Sequence, residues 1–143
     1  MAKYSLALNS TVTTNAAAAW GFLAQADENP RITELIITNG AATASEYGFG
    51  RAAAAGTQTG AVSVQPDNPG DITTGKSTCA VAWSAAPTVP AQFLRRVNIA
   101  GVIGEPAILV FPDGIGVAAS GEMVVWNLQT NSADINVNVT SVE

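Results

Sequence analysis

Five groups of residues carry side chains that could do chemistry. In the segment QPDNPGD, Asp67 and Asp71 sit on a loop rich in Gly and Pro, where carboxylates can serve calcium, which takes roughly six to eight oxygen ligands. The spacing departs from that of an EF-hand loop, and an Asx-type turn in water accounts for the same residues. The eleven Asp and Glu residues could supply the acid and base of a glycosidase, yet no two flank an aromatic sugar platform. Trp20, Trp83 and Trp126 are each embedded in strand patterns, where a Trp is ordinarily core. Cys79 would need a basic neighbour or a helix N-terminus to become a nucleophile. Instead it alternates with Val81 and Trp83, as a small buried hydrophobe does. The stretch GFGRAAAAG lacks the Lys-Ser/Thr ending of a P-loop and the βαβ context of a dinucleotide fingerprint, so its glycines mark a bend or bulge. The fifth group, Phe93-Leu94-Arg95-Arg96, is the candidate partner interface. Arg is favoured at protein contacts for its planar hydrogen-bonding fork, and Arg95 and Arg96 on one strand point to opposite faces.

Absences narrow the chemistry further. The chain has no histidine and a single cysteine, Cys79. The commonest general base, the commonest metal ligand, an internal disulfide and a Cys-rich zinc site are all missing. A non-enzymatic protein that folds without metal or organic cofactor is the expectation. Six Lys and Arg against eleven acids give a net charge of −5, and Arg95–Arg96 is the one adjacent basic pair. Nucleic acid is therefore not an expected partner, because its affinity needs clustered cations. No run approaches the roughly 18 apolar residues of a membrane span. The opening MAKYSLALNSTVTTN lacks the apolar core of a signal peptide, which points to synthesis in a reducing cytoplasm.

The elements that must position these groups follow a period of two. Tyr4, Leu6 and Leu8 alternate with polar or small residues, as do Ile135, Val137 and Val139 near the end. Such runs are strands with one face on a core and one in water. Trp20 and Phe22, Leu35 and Ile37, Tyr47 and Phe49, Val62 and Val64, the STCAVAW run, AILVF and EMVVWNL supply further short strands. Gly, Pro, Asn, Asp and Ser punctuate the gaps. The Ala runs at residues 16–19 and 52–55 lack an amphipathic stripe and read as small-residue packing beside strands or in loops. PAQFLRRVNIAG reads as strand, with Phe93, Arg95, Val97 and Ile99 at strand spacing. With 143 residues, 48% hydrophobic and 12% charged, the chain is long enough for one core of its own. The expectation is one all-β domain over residues 1–143, a jelly roll or two-sheet antiparallel β-sandwich.

The segment AILVFPDGIGVAASGEMVVWNLQTNSADINVNV reads as strand, turn, small-residue connection, strand, turn, strand. Its breaks fall at Pro112-Asp113-Gly114, Ser120-Gly121 and residues 129–132. This pattern, the Ala/Thr/Asn/Val-rich composition and the lack of His resemble the jelly-roll cement (decoration) proteins on the capsids of tailed bacteriophages. The resemblance implies a virion protein on the outer capsid surface, bound to the major capsid protein as a homo-oligomer, a trimer before a dimer. A tail, fibre or head–tail component of the same fold, and a carbohydrate-binding β-sandwich, are the alternatives. Exposed Trp would mark the sugar binder; shielded Trp would mark a packing role. EDTA should leave the melting temperature unchanged, as calorimetry would show; a fall of several degrees would place calcium on the Asp67–Asp71 loop.

Overall fold

The two-residue alternation builds strands throughout, and no helix forms among the described residues. The computed structural model describes residues 2–12, 15–68, 70, 74–129 and 133–143. Asp71, and residues 130–132 of the expected third break, lie outside them. The strands are β1 (Lys3–Val12), β2 (Ala17–Leu23), β3 (Arg31–Asn39), β4 (Ser45–Arg51), β5 (Thr57–Thr59), β6 (Val62–Ser63), β7 (Gln65–Pro66), β8 (Thr78–Ala80), β9 (Ala82–Ala85), β10 (Arg95–Ile99), β11 (Pro106–Gly116), β12 (Glu122–Asn127) and β13 (Ala133–Val142).

Eight of them pair as a long hairpin rolled upon itself. β1 pairs with β13, β2 with β12, β3 with β11 and β4 with β10, all antiparallel. Two further pairings, β3 with β13 and β4 with β12, close each set of four. The result is a five-stranded sheet, β11-β3-β13-β1-β7, facing a six-stranded one, β10-β4-β12-β2-β8-β6. Nested pairing across two sheets is the jelly-roll topology, as the sequence leads one to expect.

The space between the sheets is filled from both inner faces. Tyr4, Ile32, Leu35, Ile37, Ile135, Val137 and Val139 come from the five-stranded sheet. Trp20, Phe22, Tyr47, Phe49, Met123 and Val125 oppose them. At the β10/β11 side, Phe111 closes the sandwich by stacking on Phe49, ring centroids 5.8 Å apart. It sits in a bulge: Val110 pairs with Glu34 and Ile115 with Ile32, leaving Phe111-Pro112-Asp113-Gly114 opposite Thr33. Pro112-Asp113-Gly114 is thus not a turn between strands. It is an irregularity within β11, with Gly114 at φ +68° in the left-handed region that favours glycine.

The segment 52–94, between β4 and β10, builds a third layer. β7 extends one sheet beside β1, while β8 and β6 extend the other beside β2. β5 and β9 form a separate ribbon. The outer face of the six-stranded sheet carries Val124 and Trp126, paired with Gly50 and Gly48, and both are fully buried. Glycines make room for the cover: a Cβ on Gly48 would lie 2.7 Å from the Phe93 ring, and one on Gly21 2.8 Å from Trp83. β12, apolar on nearly both sides, is therefore covered on both faces by its own chain.

Several local expectations change. Cys79 and Trp83 do not share a strand, because the chain breaks at Val81 between β8 and β9; Trp83 joins the ribbon instead. β10 begins at Arg95, so Phe93 precedes the strand. Residues 17–19 of the first Ala run open β2, and the second run is loop around a bridge from Ala54 to Thr88. Trp126→Ala should cost about 3–5 kcal/mol in urea unfolding, whereas a cost under about 1 kcal/mol would put the ring at the surface.

Candidate docking surfaces

The two outer faces differ because only one is covered. On the five-stranded sheet, cross-strand pairing lays three rows over β11, β3, β13 and β1. They are Val110-Glu34-Thr140-Ser5, Ile108-Ile36-Asn138-Ala7 and Pro106-Thr38-Asn136-Asn9. Of these twelve side chains only Glu34 is charged, and most are short groups that lose little rotamer freedom on contact. Neighbouring strands also hold the polar ones in place. Asn9 Nδ2 donates to Asn136 Oδ1 and to the Ile135 carbonyl, both at 3.2 Å, and the Thr11 hydroxyl donates to Asp134. A shallow open depression of about 220 Å³ lies at one end, between Lys3, Glu34, Phe111 and Thr140.

The Phe93-Leu94-Arg95-Arg96 segment sits at the β10 edge, where Arg95 and Arg96 point to opposite faces while Phe93, outside the strand, lies on the side of Arg96 rather than with Arg95 as strand spacing would place it. Phe93 packs over Gly48 on the covered face. The Arg95 guanidinium lies over the Phe111 ring, 5.7 Å from its centroid, and Nη1 donates to the Leu94 carbonyl at 2.7 Å. On the other face Arg96 grips Glu46 Oε1, with Nε at 2.9 Å and Nη2 at 2.6 Å. Both Arg side chains stay exposed, so each has a partner within the chain and a free side toward solvent.

Sequence reasoning did not single out Glu122, which organises the third layer. Its carboxylate is 2% exposed and accepts from Gly56 N–H at 2.7 Å, Gln58 Nε2 at 2.9 Å and Trp83 Nε1 at 2.9 Å. Gln58 Oε1 in turn accepts from the Thr78 hydroxyl. An acid followed directly by the apolar run of EMVVWN was the available signal. With its oxygens occupied by the chain's own donors, Glu122 has no geometry for acid–base work on a substrate.

The remaining candidates resolve into ordinary roles. Cys79 is fully buried; burial, and secondarily the charge of Glu143, push its thiol well above the usual range, away from nucleophilic reactivity. Asp67 lies 3.7 Å from Lys3 Nζ, and Asn68 Oδ1 accepts from Gly70 N–H in an Asx turn. Among the described residues no three His, Cys, Asp or Glu side chains gather as a metal site. Lys76 Nζ sits 2.6 Å from Glu28 and 3.0 Å from Asp27. Its hydrogen bond holds Asp27 below the usual carboxylate range, in water where such a pair adds little.

No family model matches the chain, and no curated protein or solved structure matches it. Glu122→Gln turns an amide donor toward the N–H groups that Glu122 accepts. It should destabilise the protein by about 2–3 kcal/mol in urea unfolding and expose segment 52–94 to proteolysis first.

Proposed function

We propose that this chain is a non-enzymatic virion protein, a cement protein that binds the outside of a tailed-bacteriophage major capsid protein shell and stabilises it. The observation that carries this reading is the difference between the two outer faces. The fold uses a segment of its own to cover one and leaves the other short-chained and, in its three central rows, almost without charge. Such a face suits a broad, shallow contact with an ordered protein surface, in which little side-chain entropy is lost. Two of the three tryptophans add support: Trp20 and Trp126 are fully buried, and the half-buried Trp83 has its ring N–H held by Glu122. Many identical copies bound only to the assembled shell would stabilise it by mass action even through weak contacts.

Heating particles with and without the protein tests the reading. Particles lacking it should release their nucleic acid at a lower temperature, and adding it back should restore the difference. Ala7→Arg and Asn138→Arg, both on the uncovered face, should weaken shell binding by roughly tenfold or more without lowering the protein's own melting temperature. Particles indifferent to the protein would exclude the cement role.

A further inference from the structure

The side chains on the β11 edge lead to a second surface. Among the described residues six large aliphatic side chains stand out from the fold, and four of them, Val102, Ile103, Ile108 and Val110, lie within nine residues of one another. All four are 58–69% exposed. β11 is the last strand of its sheet, and an unpaired strand edge is a template for another strand. Natural edges are blunted by proline, charge or bulges. Here Pro106 and the bulge at residues 111–114 blunt the two ends, and Ala107-Ile108-Leu109-Val110 between them carries no charge.

The hydrogen-bond phase shows which groups are free. Asn39 N–H donates to the Glu105 carbonyl at 2.9 Å, so the carbonyl of 105 and the backbone groups of 107 and 109 face β3. Alternation then directs the N–H and C=O of Ile108 and Val110, and the C=O of Pro106, away from the sheet. The approach to this edge is ordered. Asn39 O accepts from Gly104 N–H at 2.7 Å, and Val102 O accepts from Glu105 N–H at 3.1 Å, which holds Val102 and Ile103 out at a turn.

We propose that this edge pairs with the same edge of a second copy of the chain, antiparallel, with Ile108 opposite Ile108 on a two-fold axis. In that register the two Ile108 residues exchange both backbone bonds, and each Val110 N–H donates to the partner copy's residue 106 carbonyl. Proline's missing N–H leaves no donor stranded there. Charge complementarity selects a second copy as the occupant. The same register sets Glu105 of one copy opposite residue 111 of the other, where Arg95 lies over the Phe111 ring. Glu105 and Phe111 share a face of β11, and the Glu105 carboxylate has no ion pair within its own chain among the described residues. An acid at one end of the edge and a cation at the other therefore meet twice across the axis. The contact closes on itself and joins two uncovered faces into one. It is the dimeric alternative to the trimer that the resemblance implies, and it does not rest on the shell reading.

Light scattering over a concentration series should give a particle of twice the 14.5 kDa chain. Ile108→Lys places two like charges on the axis and should weaken the dimer by about 100-fold or more. Val110→Lys at a second exposed position should act in the same direction. Glu105→Arg should weaken it by about tenfold, and adding Arg95→Glu in the same chain should recover most of that loss. Circular dichroism should show the fold retained in each. A monomer throughout, a trimer, a dimer indifferent to Ile108→Lys, or no recovery by the charge swap would each overturn the proposal. So would a chain that stays monomeric until a shell subunit occupies the edge.

Discussion

A carboxylate without access to water holds the third layer in place. Glu122 stands at the start of the most buried strand, and a charged or polar group there is tolerated only when donors surround it. Those donors come from Gly56, Gln58 and Trp83, three points along the segment between β4 and β10. The same hydrogen bonds that satisfy the acid therefore bind that segment across the outer face of the six-stranded sheet. With the segment in place, Val124 and Trp126 are buried; without it, two large apolar side chains in the middle of a sheet would face water.

The cover has a geometric condition of its own. A layer can approach a sheet closely only where the sheet has no side chains, and Gly21 and Gly48 provide that room beneath Trp83 and Phe93. The opposite sheet has no such glycines in its three central rows and no such cover. Its outer face is left as mostly Ser, Thr, Asn, Ala, Val and Ile side chains, with Glu34 and Pro106 among them, presented across four strands. The asymmetry between the faces thus follows from where one long connection packs, and it leaves one broad face available to another protein.

The open side of the sandwich shows the same economy of groups. Phe111 leaves the regular path of β11 to fill the gap beside Phe49, and Arg95 covers its ring from the β10 strand. The bulge that delivers Phe111 also ends the regular edge, so the unpaired backbone that remains is short and bounded. An edge of that kind suits a closed contact between two copies better than open-ended association, because blunted ends leave no further strand to propagate from.

Much of this architecture was legible from the residues. Alternation alone placed Tyr4, Leu6 and Leu8 on one inward face and Ile135, Val137 and Val139 on another, since a strand repeats every two residues wherever it lies. The run of Met123, Val124, Val125 and Trp126 is apolar on both strand faces, which by itself fits either a strand covered on both sides or one pressed against a neighbouring subunit. The choice of what covers it belonged to the tertiary structure. Nothing local to Phe93 or Trp83 says that they meet Gly48 and Gly21, which are far away along the chain. Glu122 looked like one acid among eleven until folding brought three distant donors to it. Pro112-Asp113-Gly114 has the composition of a turn, but the long pairing of β11 with β3 continues past it, and the pull of a buried Phe111 makes it a bulge. Cys79 and Trp83 share an alternation, yet the break at Val81 lets one strand extend the sheet and the next join the ribbon. Periodicity is a property of neighbouring residues, so the sequence by itself determined the strands and their buried faces. Which face stays bare, and which edge stays open, depend on contacts between residues far apart in the chain, and only the folded structure decides them.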